Sequence, residues 1–161
     1  MSFKTKINSE RGNYDEKTND PMTFVLGPNY TYAKITYQGK TSRYEVDYTY
    51  IQRLNKDKDI ASVRLMLKNA PFDIIITENP FLLVMLHYRY GSDNYVQNFL
   101  IQSDEKEFMI TLRRLGNSSK YIYVNNELRP ICPSCQGRGI IKYIDCDEKC
   151  DKCNGKGYFS N

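Results

Sequence analysis

The sequence predicts a mainly β protein: an antiparallel sheet domain, with room for one or two helices, followed by a small β-hairpin module. Three observations carry this reading. Aromatic and β-branched residues alternate with polar ones through much of residues 22–129. Turn-forming groups such as Gln38-Gly39-Lys40 and Asn125-Asn126 punctuate that texture. All five cysteines lie between Cys132 and Cys153, in a segment that repeats itself.

Composition sets the limits. A chain of 161 residues allows one ordinary domain with an appendage. At 40% hydrophobic and 26% charged residues it is globular rather than disordered. No apolar run approaches the ~20 residues of a membrane span, so a membrane is not expected as a partner. Met1 to Lys6 has no apolar stretch behind it, unlike a secretory signal, and the expected location is cytoplasmic. Basic residues exceed acidic ones by 23 to 19, and the excess is spread along the chain. A net charge of +4 neither declares nor excludes a nucleic-acid partner.

The elements follow in order. Residues 1–20 are polar, with Phe3, Ile7 and Tyr14 as their sizeable apolar groups, and read as a flexible tail. Residues 21–130 read as the sheet domain. Tyr30 to Tyr37 and Arg43 to Tyr48 form a hairpin around Gln38-Gly39-Lys40; Ser62 to Lys68 and Asp73 to Thr77 flank the breaker Asn69-Ala70-Pro71. Phe81 to Tyr90 suits a strand, with a buried helix as the rival. Gly91 to Asn94 is a turn from which Tyr95 to Gln102 pairs back. Glu107 to Arg114 alternates as a strand would, Gly116-Asn117-Ser118 turns the chain, and Lys120 to Val124 is a strand closed by Asn125-Asn126.

Residues 131–161 carry the chemistry. Cys132-Pro133-Ser134-Cys135-Gln136-Gly137-Arg138-Gly139 returns eighteen residues later as Cys150-Asp151-Lys152-Cys153-Asn154-Gly155-Lys156-Gly157. Two residues between cysteines let a tight turn aim both sulfurs at one ion, and two such turns supply the four thiolates of a closed zinc site. The glycine two places past the second cysteine permits positive φ and brings amide N–H groups toward the sulfurs. The expected cofactor is one structural Zn²⁺ on Cys132, Cys135, Cys150 and Cys153, with no position left for a reacting water. Four thiolates and one divalent ion add −2, taking the formal +4 to +2. Disulfides and a redox C-x-x-C are the rival readings of these cysteines.

This doubled C-x-x-C-x-G-x-G pattern resembles one half of the cysteine-rich zinc domain of DnaJ-type co-chaperones, over 26 of 161 residues. The resemblance implies zinc on the same four cysteines and a protein-binding role. It does not imply stimulation of an ATP-driven chaperone, because the His-Pro-Asp of a J-domain is absent. The one histidine lies in Leu86-His87-Tyr88.

Other residues have plainer readings. Cys146, among Asp145, Asp147 and Glu148, reads as a spare thiol, with substitute ligand or redox sensor as rivals. His87 reads as a strand residue, with general base as its rival, and no catalytic motif accompanies it. Tyr30, Tyr32, Tyr44, Tyr48 and Tyr50, mixed with Lys34, Arg43 and Arg53, suit packing and protein contact or a base-stacking face. The expected function is therefore non-enzymatic: a zinc protein acting on another protein as regulator, adaptor or assembly factor. It would present Ile141, Tyr143, Ile144 and Phe159 as an apolar patch. The alternative is a nucleic-acid binder with Lys34, Arg43, Arg89, Arg113 and Arg114 gathered on one face.

Overall fold

A computed structural model of the chain describes residues 2–3, 7–11, 14–18, 22–78, 82–90, 93–100 and 105–160. The strands are β1 (Ser2–Phe3), β2 (Ile7–Arg11), β3 (Tyr14–Thr18), β4 (Met22–Leu26), β5 (Tyr32–Tyr37) and β6 (Lys40–Leu54). Next come β7 (Ile60–Leu67), β8 (Phe72–Thr77), β9 (Leu83–Tyr90) and β10 (Asp93–Leu100). A helix, α1 (Glu105–Ser118), precedes β11 (Tyr121–Val124) and β12 (Glu127–Pro130). The cysteine segment holds β13 (Ile140–Lys142) and β14 (Asp147–Lys149).

Among the described residues twelve strands form one sheet, ordered β1-β4-β5-β6-β7-β8-β9-β10-β2-β3, with β11 joined to β6 and β12 to β11. Strand β6 makes the sheet curl. Its Lys40–Glu45 part pairs with β5 and its Val46–Leu54 part with β7, and register shifts fall at Val46/Tyr48 and around Arg53. Each shift bends the strand and increases its twist. Type-specific turns fix the hairpins: Gln38 and Gly39, then Asn125 and Asn126, all have positive φ, as a two-residue hairpin loop requires.

One face of the sheet is the core. Phe24, Ile35, Ile51, Val63, Leu65, Ile74, Ile76, Val84 and Leu86 line it, and α1 closes it with Phe108, Leu112 and Leu115. The region read as a helix or strand over 81–90 is strand β9, paired along its length with β8 and β10. Part of the expected turn at Gly91 to Asn94 lies outside the described residues, as does the end of the Tyr95 to Gln102 strand.

Two readings are corrected. Residues 107–114, expected as a strand, lie inside α1. Phe108, Ile110 and Leu112 fit a period of two, but the buried set Phe108, Leu112, Leu115 fits the helical period, and Ile110 is left exposed. Gly116, expected in a turn, is a buried helical residue. A Cβ there would collide with the Ile60 side chain, so its bareness lets α1 approach β7.

The tail expected over residues 1–20 also differs. Ser2–Phe3 pairs with β4, and β2 pairs with both β3 and β10. A polar segment that cannot build a core still satisfies its backbone groups against the open edge of β10.

Candidate metal centre

The cysteine segment grows directly out of β12. Ile131 forms an antiparallel bridge with Tyr158, and both pack against the main core. Gly137 lies over Ile51 and Ile122, Arg138 donates to Asn117 Oδ1 at 2.9 Å, and Lys142 pairs with Asp59 at 3.4 Å. The segment is thus seated on the sheet and on the end of α1 and does not hang from a linker.

Its two halves are built alike. In each, the amide residue after the second cysteine is left-handed, at φ 51° for Gln136 and φ 52° for Asn154. The two glycines that follow, Gly137 and Gly139 or Gly155 and Gly157, also have positive φ. This curl folds the backbone back over the sulfurs: Gly139 N–H donates to Cys135 Sγ at 3.3 Å and Gly157 N–H to Cys153 Sγ at 3.1 Å. These are the amide–sulfur contacts anticipated from the spacing. The Gln and Asn positions, noted in the sequence only as an amide match, earn their place by tolerating the left-handed conformation.

All four sulfurs meet. Cys132 and Cys150 Sγ are 3.8 Å apart, Cys135 and Cys153 Sγ are 3.7 Å apart, and the four atoms lie within 4.8 Å of one another. Zinc–sulfur bonds of ~2.3 Å in a regular tetrahedron put sulfurs about 3.8 Å apart. The cluster is fully buried, with each cysteine at 6% exposure or less. Its geometry and donor set fit one metal ion. Cys146 is exposed and lies outside the cluster, in the loop between β13 and β14.

Electrostatics point the same way. Burial pushes the Cys135 thiol up to about 12, and burial also raises Cys153 against the pull of the Gly157 N–H. Cys132 is lowered: burial pushes it up, but the N–H groups of Cys135 and Ser134 outweigh that. A cation is what such a site needs to hold its sulfurs as thiolates.

The remaining candidates are dispersed. His87 accepts at Nδ1 from Arg64 Nη2 at 2.6 Å, and the same nitrogen of Arg64 pairs with Asp73 at 2.8 Å. Because a guanidinium only donates, this Nδ1 carries no proton. Lys34 and Arg43 face each other across β5 and β6, where Arg43 lies 4.0 Å over the Tyr32 ring. Arg113 and Arg114 are on α1, against the opposite face of the sheet, and the Arg89 side chain lies outside the described residues. Among the described residues these cations are not gathered. Tyr30 and Tyr44 pack on the core, Tyr44 edge-on to Phe72, whereas Tyr48 and Tyr50 stack on each other.

No protein-family model, curated protein or solved structure matches the chain. No helix among the described residues is long and apolar enough to cross a membrane.

Proposed function

We propose that this chain is a non-enzymatic zinc protein that acts by binding another protein, as a regulator, adaptor or assembly factor. Zinc serves as a brace. Four cysteines complete a tetrahedral set, which leaves no ligand position for a water or substrate. A redox-inert ion with a taste for thiolates suits that task better than iron, which accepts the same donors. The likeness of the repeats to half of a DnaJ-type zinc domain supports the same assignment. Four thiolates and an exposed Cys146 belong in a reducing compartment such as the cytoplasm.

The observation that carries the partner reading is Ile144. It stands fully exposed at the end of the β13–β14 hairpin, next to Tyr143 at 55% exposure, and the loop is closed by Tyr143 N–H donating to Cys146 O at 2.9 Å. An apolar tip on a metal-braced hairpin loses little freedom on docking. Asp145, Asp147 and Glu148 follow it closely in the chain and are exposed, so the complementary socket is apolar with a basic rim.

Affinity capture with the full chain tests this, using wild type, Ile144→Asp and metal-stripped protein, at low and raised salt after nuclease treatment. Proteins retained by wild type at raised salt and lost from both altered forms are expected. Equal retention by Ile144→Asp, or recovery of nucleic acid alone, overturns the reading. Elemental analysis of the purified chain should return one zinc per molecule.

A further inference from the structure

A second surface lies on the other face of the sheet. Strand β11 runs parallel to β6, with Tyr121 opposite Tyr50 and Ile122 opposite Ile51. Both isoleucines turn into the core, so alternation sends Tyr48, Tyr50, Tyr121 and Tyr123 to the far side. There the rings touch in sequence: Tyr48–Tyr50 at 6.3 Å, Tyr48–Tyr121 at 6.2 Å and Tyr50–Tyr123 at 6.1 Å. Strand β12 continues the strip, placing Leu128 opposite Tyr123 and Pro130 opposite Tyr121. Phe159 borders it, its N–H donating to Pro130 O at 3.1 Å. Of the eight large hydrophobics exposed among the described residues, Tyr121, Tyr123, Leu128 and Phe159 are four.

A cleft opens at each end of the tyrosines, and each holds a cation. One, of about 320 Å³, joins Tyr123 to Gln52, Arg53, Ser62 and Thr77. The other, of about 260 Å³, joins Tyr48 and Tyr121 to Lys120, with Asp47 its one carboxylate. Arg53 and Lys120 are exposed. In the first cleft Gln52 Oε1 is buried and has no hydrogen-bond partner among the described residues. A buried acceptor of that kind is costly unless something donates to it.

We infer that this strip is a platform for single-stranded nucleic acid. Bases stack on Tyr121 and Tyr123, a base edge meets the Gln52 side chain in the first cleft, and the flanking phosphates lie at Arg53 and Lys120. Every base offers a π-face to a tyrosine, whatever the sequence. Alternate residues of a strand are ~6.8 Å apart, twice the ~3.4 Å between successive nucleotides of a duplex strand. The spacing therefore suits an extended, unstacked strand. The Arg53 cation at one end, with Lys120 beside Asp47 at the other, favours a polyanion over an apolar protein partner for this face. The inference is independent of the protein-binding reading, which concerns the hairpin tip.

The test uses the metal-loaded full chain and a fluorescein-labelled mixed-sequence 12-nucleotide strand, as DNA and as RNA, by polarisation at 50 and 200 mM salt. The chain has no tryptophan, so tyrosine emission can be followed as well, and quenching that is lost in Tyr121→Ala or Tyr123→Ala assigns stacking to the strip. Saturable binding that weakens with salt is expected, with about tenfold loss in Tyr121→Ala or Tyr123→Ala. Tyr121→Phe with Tyr123→Phe keeps the rings and should keep binding, which separates stacking from misfolding. Arg53→Glu and Lys120→Glu should each weaken binding and flatten the salt dependence. Ile110→Ala, on the exposed side of α1, should bind as wild type. The inference is overturned by no binding at 50 mM salt, by equal binding of the matching duplex, or by a mononucleotide binding as tightly as the strand. Self-association lost in Tyr121→Ala, without strand binding, would instead make the strip a contact between copies of this chain.

Discussion

The Gly157 carbonyl accepts the Cys132 N–H at 2.9 Å, and the Gly139 carbonyl accepts the Cys150 N–H at the same distance. Each half of the metal centre thus closes the other through its last glycine. The reciprocity is so tight that a Cβ on Gly139 would run into the Gly155 carbonyl, and one on Gly157 into the Gly137 carbonyl.

Gly139→Ala and Gly157→Ala are therefore expected to loosen the metal and destabilise the module by about 2–3 kcal/mol each, through left-handed strain and backbone collision together. Gly39→Ala is the control. It shares a positive φ, 74°, but a Cβ there meets nothing within 4 Å, and it should cost about 1 kcal/mol. Competition with a chromogenic chelator reads the first pair, and thermal unfolding reads all three.

Cys135→Ser and Cys150→Ser should each lose the ion and destabilise residues 132–157, inside the Ile131–Tyr158 bridge, because metal affinity and folding of such a segment are one free energy. Cys146→Ser should retain full metal content, as its thiol lies outside the cluster. Metal-to-protein ratios of the three variants decide it, and zinc loss in Cys146→Ser would refute the ligand set.

Acidity should act with opposite sign on the two forms. Without metal, burial holds the Cys135 thiol at about 12 against an ordinary 9.0. That neutral thiol favours the fold fully below pH 9, and its contribution is lost as pH climbs toward 12. Cys153 works in the same sense, whereas Cys132, lowered, works against them. The metal-free chain should accordingly melt at lower temperature as pH rises above 9. The loaded chain should instead weaken on acidification, as protons compete for the thiolates. Melting curves across pH, with and without zinc, separate the slopes.

Gly116→Ala is a contest between propensity and space. Alanine is worth about 1 kcal/mol in a helix interior, yet a Cβ here would strike Ile60. Overpacking of this kind costs about 1–3 kcal/mol, so the variant should melt lower than wild type. Ile60→Val, added to it, should recover part of the loss.

Much of this was legible in the residues. The four-cysteine cluster and the amide–sulfur contacts follow from local spacing, because each knuckle is complete within eight residues. Hairpins closed by Gln38-Gly39 and Asn125-Asn126 were legible for the same reason. Helix α1 was not, since Phe108, Ile110 and Leu112 satisfy either period and only packing against Ile60 and its neighbours chooses. Nor was pairing in residues 1–20, where the partner of β2 is a strand some ninety residues away. The tyrosine strip was half seen: Tyr48 and Tyr50 are apparent in one strand, but Tyr121 and Tyr123 join them only through the parallel contact of β11 with β6.

The bridge between Ile131 and Tyr158 fastens the loop that carries all four ligands at its neck, without using the ion. An emptied centre is then a weakened loop whose ends are already together, and the search that recaptures an ion spans that loop alone. Reloading should be rapid and repeatable, so the ion can be withdrawn and restored while the sheet domain stays intact.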